Sequence, residues 1–218
     1  MNVPPYSIFV FWTGTNSMSP ARNNCLQELK RVSCANVILI TPANLDQYIL
    51  PSEPLHRAYE CLSETHRSDY LRAYFMNFYG GGYCDIKRTT GSWIESFDKL
   101  NNSDKWMLGY KEIKHNGNQS GWMKDVWEEL IGCGAFICKP HTPLTEEWYG
   151  KVLEVMEDKM EHLMVFPASS PQDCTEFSNN GYPLGWNDLL GYIFPKCNYK
   201  YRDKVLNTLP MIDLYNYR

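Results

Sequence analysis

The chain has 218 residues, 44% of them hydrophobic and 21% charged, with a formal charge of −4 and a pI near 5.7. A chain of that size buries about 70% of its unfolded surface, which suits one ordinary globular domain. Its acidic balance, without a basic block, argues against nucleic-acid binding through phosphates, and its longest apolar runs, SIFVFW and NVILI, fall far short of the roughly 20 residues a membrane span needs.

MNVPPYS carries no basic stretch ahead of its apolar run, so no signal peptide is expected, and a soluble, cytoplasmic protein is. Cys25, Cys34, Cys61, Cys84, Cys133, Cys138, Cys174 and Cys197 are scattered without a CxxC pair. That spacing reads as buried thiols in a reducing compartment, not as a disulfide framework or a zinc site. The N-x-S sequons at Asn101 and Asn118 carry little weight in such a compartment.

SIFVFW (7–12) reads as a strand buried on both faces. Ser19 caps a helix with Pro20 in its first turn, running to about Arg31. NVILIT (36–41) is a second buried strand ended by Pro42. Strand, helix, strand in this style is a βαβ unit with a parallel sheet, and ligands in such sheets sit at the carboxyl ends of the strands. Those ends are Trp12-Thr13-Gly14 and Thr41-Pro42.

After Ser63 comes a helical stretch, ETHRSDYLRAYFMNFY. Leu71, Phe75 and Phe78 form an apolar face, while His66, Asp69, Arg72 and Ala73 share another stripe. Gly80-Gly81-Gly82 ends the helix and brings backbones close, and YCDIK starts a strand whose alternation puts Asp85 and Lys87 on one side. Further strands are expected at 105–110 and 134–139, and a helix from Thr142 or Pro143 to about Leu163. Polar loops at 111–122 and 167–183 are of the kind that shape a ligand site. A short helix is expected over LGWNDLLGYIF. Trp93 is expected to pack on the sheet, and His66, His115 and His141 to be structural or solvated. No internal repeat or linker interrupts 1–218, so one α/β domain is expected, which a longer chain could carry among others.

HRSDYLRAYFMNFYGGGYCDIK, with Trp93 soon after, resembles the core of the capsular-polysaccharide-synthesis glycosyltransferases, which are family 32-like. That group is related to the DXD-containing sugar-binding transferases and, more remotely, to the glucosylating clostridial toxins. IFVFWTG, GAFICKP and NGYPLGWNDLLGYIF resemble further parts of the group, and a small virus-encoded glycosyltransferase domain is of similar size. The specific signal is SDxxR joined to GGxYxD. The resemblance implies a single GT-A, Rossmann-like domain with a mostly parallel central sheet flanked by helices, and a nucleotide-diphosphate sugar donor, with UDP expected. It implies that Asp69 and Arg72 contact the sugar and phosphate region, and that Asp85 meets donor hydroxyls or a metal. The second acid of the DXD pattern, the usual metal ligand, is replaced here by Lys87.

Two readings of that replacement follow. An ammonium can neutralise a leaving diphosphate in place of a cation. Alternatively, Asp85 still binds Mn²⁺ or Mg²⁺ with a carboxylate from the C-terminal segment, Asp173 or Asp188, and Lys87 turns aside. Trp12 is placed to stack on the donor's base, with Thr13, Gly14 and Thr41 beside it. If transfer inverts the anomeric centre, Asp188 or Asp173 is the expected general base. The expected function is transfer of a hexose or deoxyhexose to a glycan or glycoprotein. Its rival is a non-catalytic sugar-nucleotide or glycan-binding module. A nucleotidyltransferase is disfavoured by the lack of a glycine-rich phosphate loop with its following lysine.

Overall fold

The computed structural model describes residues 3–113 and 121–215. Strands β1 (Ser7–Phe11), β2 (Asn36–Ile40), β3 (Gly81–Cys84), β4 (Met107–Lys111), β5 (Ile131–Cys138) and β6 (Val205–Leu206) form one sheet in the order β2-β1-β3-β5-β4-β6. The β1/β2, β1/β3 and β4/β6 pairs are parallel, while β5 runs antiparallel to both of its neighbours. The sheet is therefore mostly parallel by pairing, with one reversed strand near its middle.

The helices start and stop where local chemistry dictates. In α1 (Pro20–Ser33) the Ser19 hydroxyl accepts from the Arg22 amide, and Cys34 ends the helix in left-handed geometry. In α2 (Glu64–Phe78) Ser63 accepts from the His66 amide. In α5 (Pro143–Val165) Thr142 and Thr145 cap one another reciprocally, satisfying two otherwise orphaned donors. After α2 the chain reverses through Gly80 and Gly81, with φ of 62° and 78°. A Cβ on Gly81 would lie 2.9 Å from the Ser7 carbonyl, so the glycines both permit the turn and let β3 approach β1.

The unalternating β1 run is buried on both faces because the sheet is covered on both sides. Phe9 and Phe11 point into one core with Phe75, Tyr83, Phe136 and Trp148 of α5. Ile8 and Val10 point into the other, with Leu29 of α1 and with Trp93 and Phe97 at α3 (Ile94–Asn101). Trp93 packs on the sheet as expected. β2 is different from its expectation: it is an edge strand, and only Ile40 is fully buried.

Three other boundaries shift. β3 ends at Cys84, so Asp85 and Lys87 stand on the turn beyond the strand. Residues 186–193 form turns in place of the expected helix, and α6 begins only at Phe194 and runs to Lys200. A short helix α4 (Met123–Val126) follows the polar loop, of which residues 114–120, including His115, lie outside the described residues. Among the described residues no helix is long and apolar enough to cross a membrane.

Candidate active site

Where β1, β2 and β3 end side by side, the middle of α2 brings up Asp69 and Arg72. Asp69 through Asn77 is buried without a break, so even this charged stripe is inside the molecule. Arg72 is the hub. Its Nη2 lies 3.4 Å from Asp69 Oδ1 and 3.3 Å from Asp85 Oδ1, its Nη1 donates to the Cys133 carbonyl at 3.1 Å, and its guanidinium lies 4.4 Å from the centre of the Tyr83 ring. Asp85 in turn accepts from the Tyr83 hydroxyl at 2.7 Å on Oδ1 and from the Lys87 ammonium at 2.8 Å on Oδ2. The result is an alternating row, Asp69, Arg72, Asp85, Lys87, with no net charge. Gly134 makes room for it, since a Cβ there would sit 3.2 Å from Asp85 Oδ2.

Burial and charge pull on these groups in opposite senses. Burial pushes the Asp69 carboxyl above the usual carboxylate range, against the pull of Arg72. For Asp85 burial also pushes upward, yet Arg72, Lys87 and the Tyr83 hydroxyl together hold it below that range. Arg72 stays firmly charged: burial disfavours the cation, but Tyr83, Asp85 and Asp69 outweigh it. Beneath the row, burial pushes the Cys133 thiol up to about 12, which makes it unreactive.

The row is the wall between two lobes of one cleft, each of about 390 Å³. Thr65, Arg72, Asp85, Lys87 and Trp186 line both. The first lobe is bounded by Trp12, Thr13, Glu64, Pro171 and Gln172. The second is bounded by Tyr110, Glu112, Leu130, Asn187 and Tyr215. A side cavity of about 180 Å³ continues past Trp12 and Thr13 to Thr41, Asp46 and Arg67. Each lobe is within the range of roughly 300–1,000 Å³ typical of small-molecule sites.

Of the residues singled out in the sequence, Trp12, Thr13, Thr41, Asp69, Arg72, Asp85 and Lys87 all reach the cleft or its side cavity. Gly14 does not line it; a Cβ there would lie 2.5 Å from Asn16 and Glu64, so its part is close packing at the rim. Asp173 and Asp188 do not line the cleft. The Asp173 carboxylate turns into its own loop, where the Ser169 and Ser170 amides, the Ser170 and Ser178 hydroxyls and the Asn180 amide all donate to it. Asp188 accepts from the Gly185 amide at 2.7 Å, and it is the preceding Trp186 and Asn187 that face the cleft. Glu112 and Glu64, which the sequence did not mark, are the additional acids of the two lobes.

His66 is structural, and it matters to the site at one remove. Its Nδ1 meets the Tyr182 hydroxyl at 2.9 Å and its Nε2 donates to the Gly185 carbonyl at 3.1 Å, tying the Trp186 turn to α2. Asp173 does the same for the other rim, where the Pro171 carbonyl accepts from the Thr65 amide. Burial pushes Asp173 up, but its hydrogen bonds hold it far below the carboxylate range. An acid with a depressed native pKa contributes its full stability above its unfolded pKa of about 3.9 and loses it as pH falls through the native value. Asp173→Asn is therefore expected to destabilise by about 1–3 kcal/mol in urea melts. The gap should be flat from about pH 5 to 8 and narrow in acid.

A divalent cation does not fit Asp85 as the structure holds it. Both carboxylate oxygens are engaged, two cations stand within hydrogen-bonding or ion-pair reach, and the position that should supply the next carboxylate is Lys87. Asp173 and Asp188, the expected second carboxylates, are committed elsewhere.

Residues 2–141 match the family model described as capsular polysaccharide synthesis protein. No curated protein matches the chain. Among solved structures, the PaToxG glycosyltransferase superposes with a TM-score of 0.51 at 10% sequence identity, covering 90% of this chain and 69% of that one. At such identity the likeness is one of fold.

Proposed function

Because the chain belongs to the capsular polysaccharide synthesis protein family, we propose that it transfers a hexose or deoxyhexose from a nucleotide-diphosphate sugar, with UDP the expected nucleotide, to a glycan or glycoprotein hydroxyl. The observation that carries this reading is the charge row at the carboxyl ends of parallel strands, shared by two lobes of a single cleft. The first lobe takes the nucleotide, with the Trp12 ring against the base and Thr13 and Thr41 beside it. Its indole N–H already donates to the Asn16 carbonyl, so the ring's face is what it offers. Asp69, Arg72 and Asp85 hold the donor sugar and diphosphate at the dividing wall. The acceptor enters from the second lobe, along Trp186 and Tyr110.

In this arrangement the chain mainly positions reactants and places charge where the leaving group develops it. If transfer inverts the anomeric centre, Glu112 takes the base role first expected of Asp188 or Asp173, being the acid of the acceptor lobe outside the charge row. The buried thiols Cys84 and Cys138 suit a reducing cytoplasm.

Nucleoside diphosphate release from a panel of UDP-, GDP- and dTDP-sugars tests the proposal. One donor should be cleaved slowly by water and faster with a suitable acceptor. A diphosphate that binds while no donor turns over would instead mark a sugar-nucleotide-binding module. A panel that neither binds nor reacts would overturn both.

A further inference from the structure

Resting on that donor-site reading, we propose that the site works without a divalent cation, and that Lys87, together with Arg72, takes the charge of the departing diphosphate. Lys87 lines both lobes, and its side chain is only 12% exposed, so it meets any anion there in a poorly screened setting. Its ammonium rests 2.8 Å from Asp85. The flexible four-carbon stem lets that ammonium move from Asp85 to an entering phosphate. Arg72 is the fixed partner, clamped by Asp69, the Cys133 carbonyl and the Tyr83 ring. Before donor arrives, Asp85 is the counter-charge that lets two cations stand together in a half-buried wall.

A metal in the same place would meet the opposite conditions. It would have to displace the Tyr83 and Lys87 hydrogen bonds to reach Asp85, and both cations would repel it. In the step itself the C1–O bond to the donor's β-phosphate breaks and its electron pair passes to that phosphate oxygen. A bond forms from C1 to the acceptor oxygen, and the acceptor's hydroxyl proton ends on the released diphosphate or on buffer. Lys87 keeps its proton throughout; its part is electrostatic.

Calorimetric titration of UDP, GDP and dTDP, each in EDTA and in Mn²⁺, tests this on the wild type, Lys87→Met and Lys87→Asp, with melting curves confirming that each variant folds. For the diphosphate that binds, the wild-type Kd should agree within about threefold between the two conditions. Lys87→Met should weaken that diphosphate by roughly 10- to 100-fold in both, as loss of a charge-assisted contact does. It should change the Kd of the monophosphate much less. Lys87→Asp should lose binding in EDTA and regain it with Mn²⁺, because it restores the missing carboxylate. A wild type that loses tenfold or more in EDTA overturns the proposal, and so does a Lys87→Met that binds like wild type. Failure of all three nucleotides in every condition removes the donor-site reading beneath it, a distinct result.

Discussion

Asp85→Asn is expected to lower donor turnover by about 10²- to 10³-fold, the scale for removing one preorganised electrostatic contact at a reacting centre. The side chains differ by one atom, so packing is preserved. What changes is the wall: the Tyr83 hydroxyl, Arg72 and Lys87 all converge on the Asp85 carboxylate, and a neutral amide cannot anchor two cations. The same change removes a negative charge from beside the diphosphate. Nucleotide affinity should therefore hold or tighten while kcat falls. That split separates misplacement of the sugar from loss of binding. A kcat within threefold of wild type would take Asp85 out of the chemistry.

Arg72→Ala should be the most destabilising change at the site. It leaves two carboxylates, Asp69 almost fully buried and Asp85 half-buried, without their shared cation. Stranding a buried charge this way costs about 3–5 kcal/mol, a large share of the roughly 5–15 kcal/mol that holds a domain folded. Arg72→Lys should recover little, because one ammonium cannot reach Asp69, Asp85 and the Cys133 carbonyl with separate donors. The pH dependence has a definite sign. Burial already raises the Asp69 pKa in the presence of Arg72. An acid that holds its proton more tightly when folded gains stability as pH falls, so Arg72→Ala should recover part of its loss between about pH 7 and 5. Urea melts at those two pH values check both statements.

The helical part of the wall was legible in the sequence because the i, i+3 spacing of Asp69 and Arg72 and the glycine turn each have one structural outcome once the helix is assigned, whereas Asp85 and Lys87 lie on the turn past β3, where strand alternation does not reach. The misread residues depend on contacts that periodicity does not encode. Asp173 looked like a cleft acid, yet it sits among Ser169, Ser170, Ser178 and Asn180, the residue types that build self-bonded loops, and that composition was the available signal. Glu112 was invisible for another reason. It follows β4, and its place in the cleft rests on β5 pairing between β3 and β4 in antiparallel sense, a long-range arrangement. β2 read as buried because an apolar run does not reveal which strand ends at the edge of a sheet.

Whether this cleft binds a nucleoside diphosphate is read from the melting temperature with UDP, GDP and dTDP. A ligand at about 100 times its Kd adds roughly 2.7 kcal/mol, or about 5–10 °C for a chain of this size. One of the three diphosphates should raise the melting temperature by that amount, its monophosphate by clearly less, and Arg72→Lys should blunt the shift. No rise with any of them at millimolar concentration would mean that the cleft is not a nucleotide site.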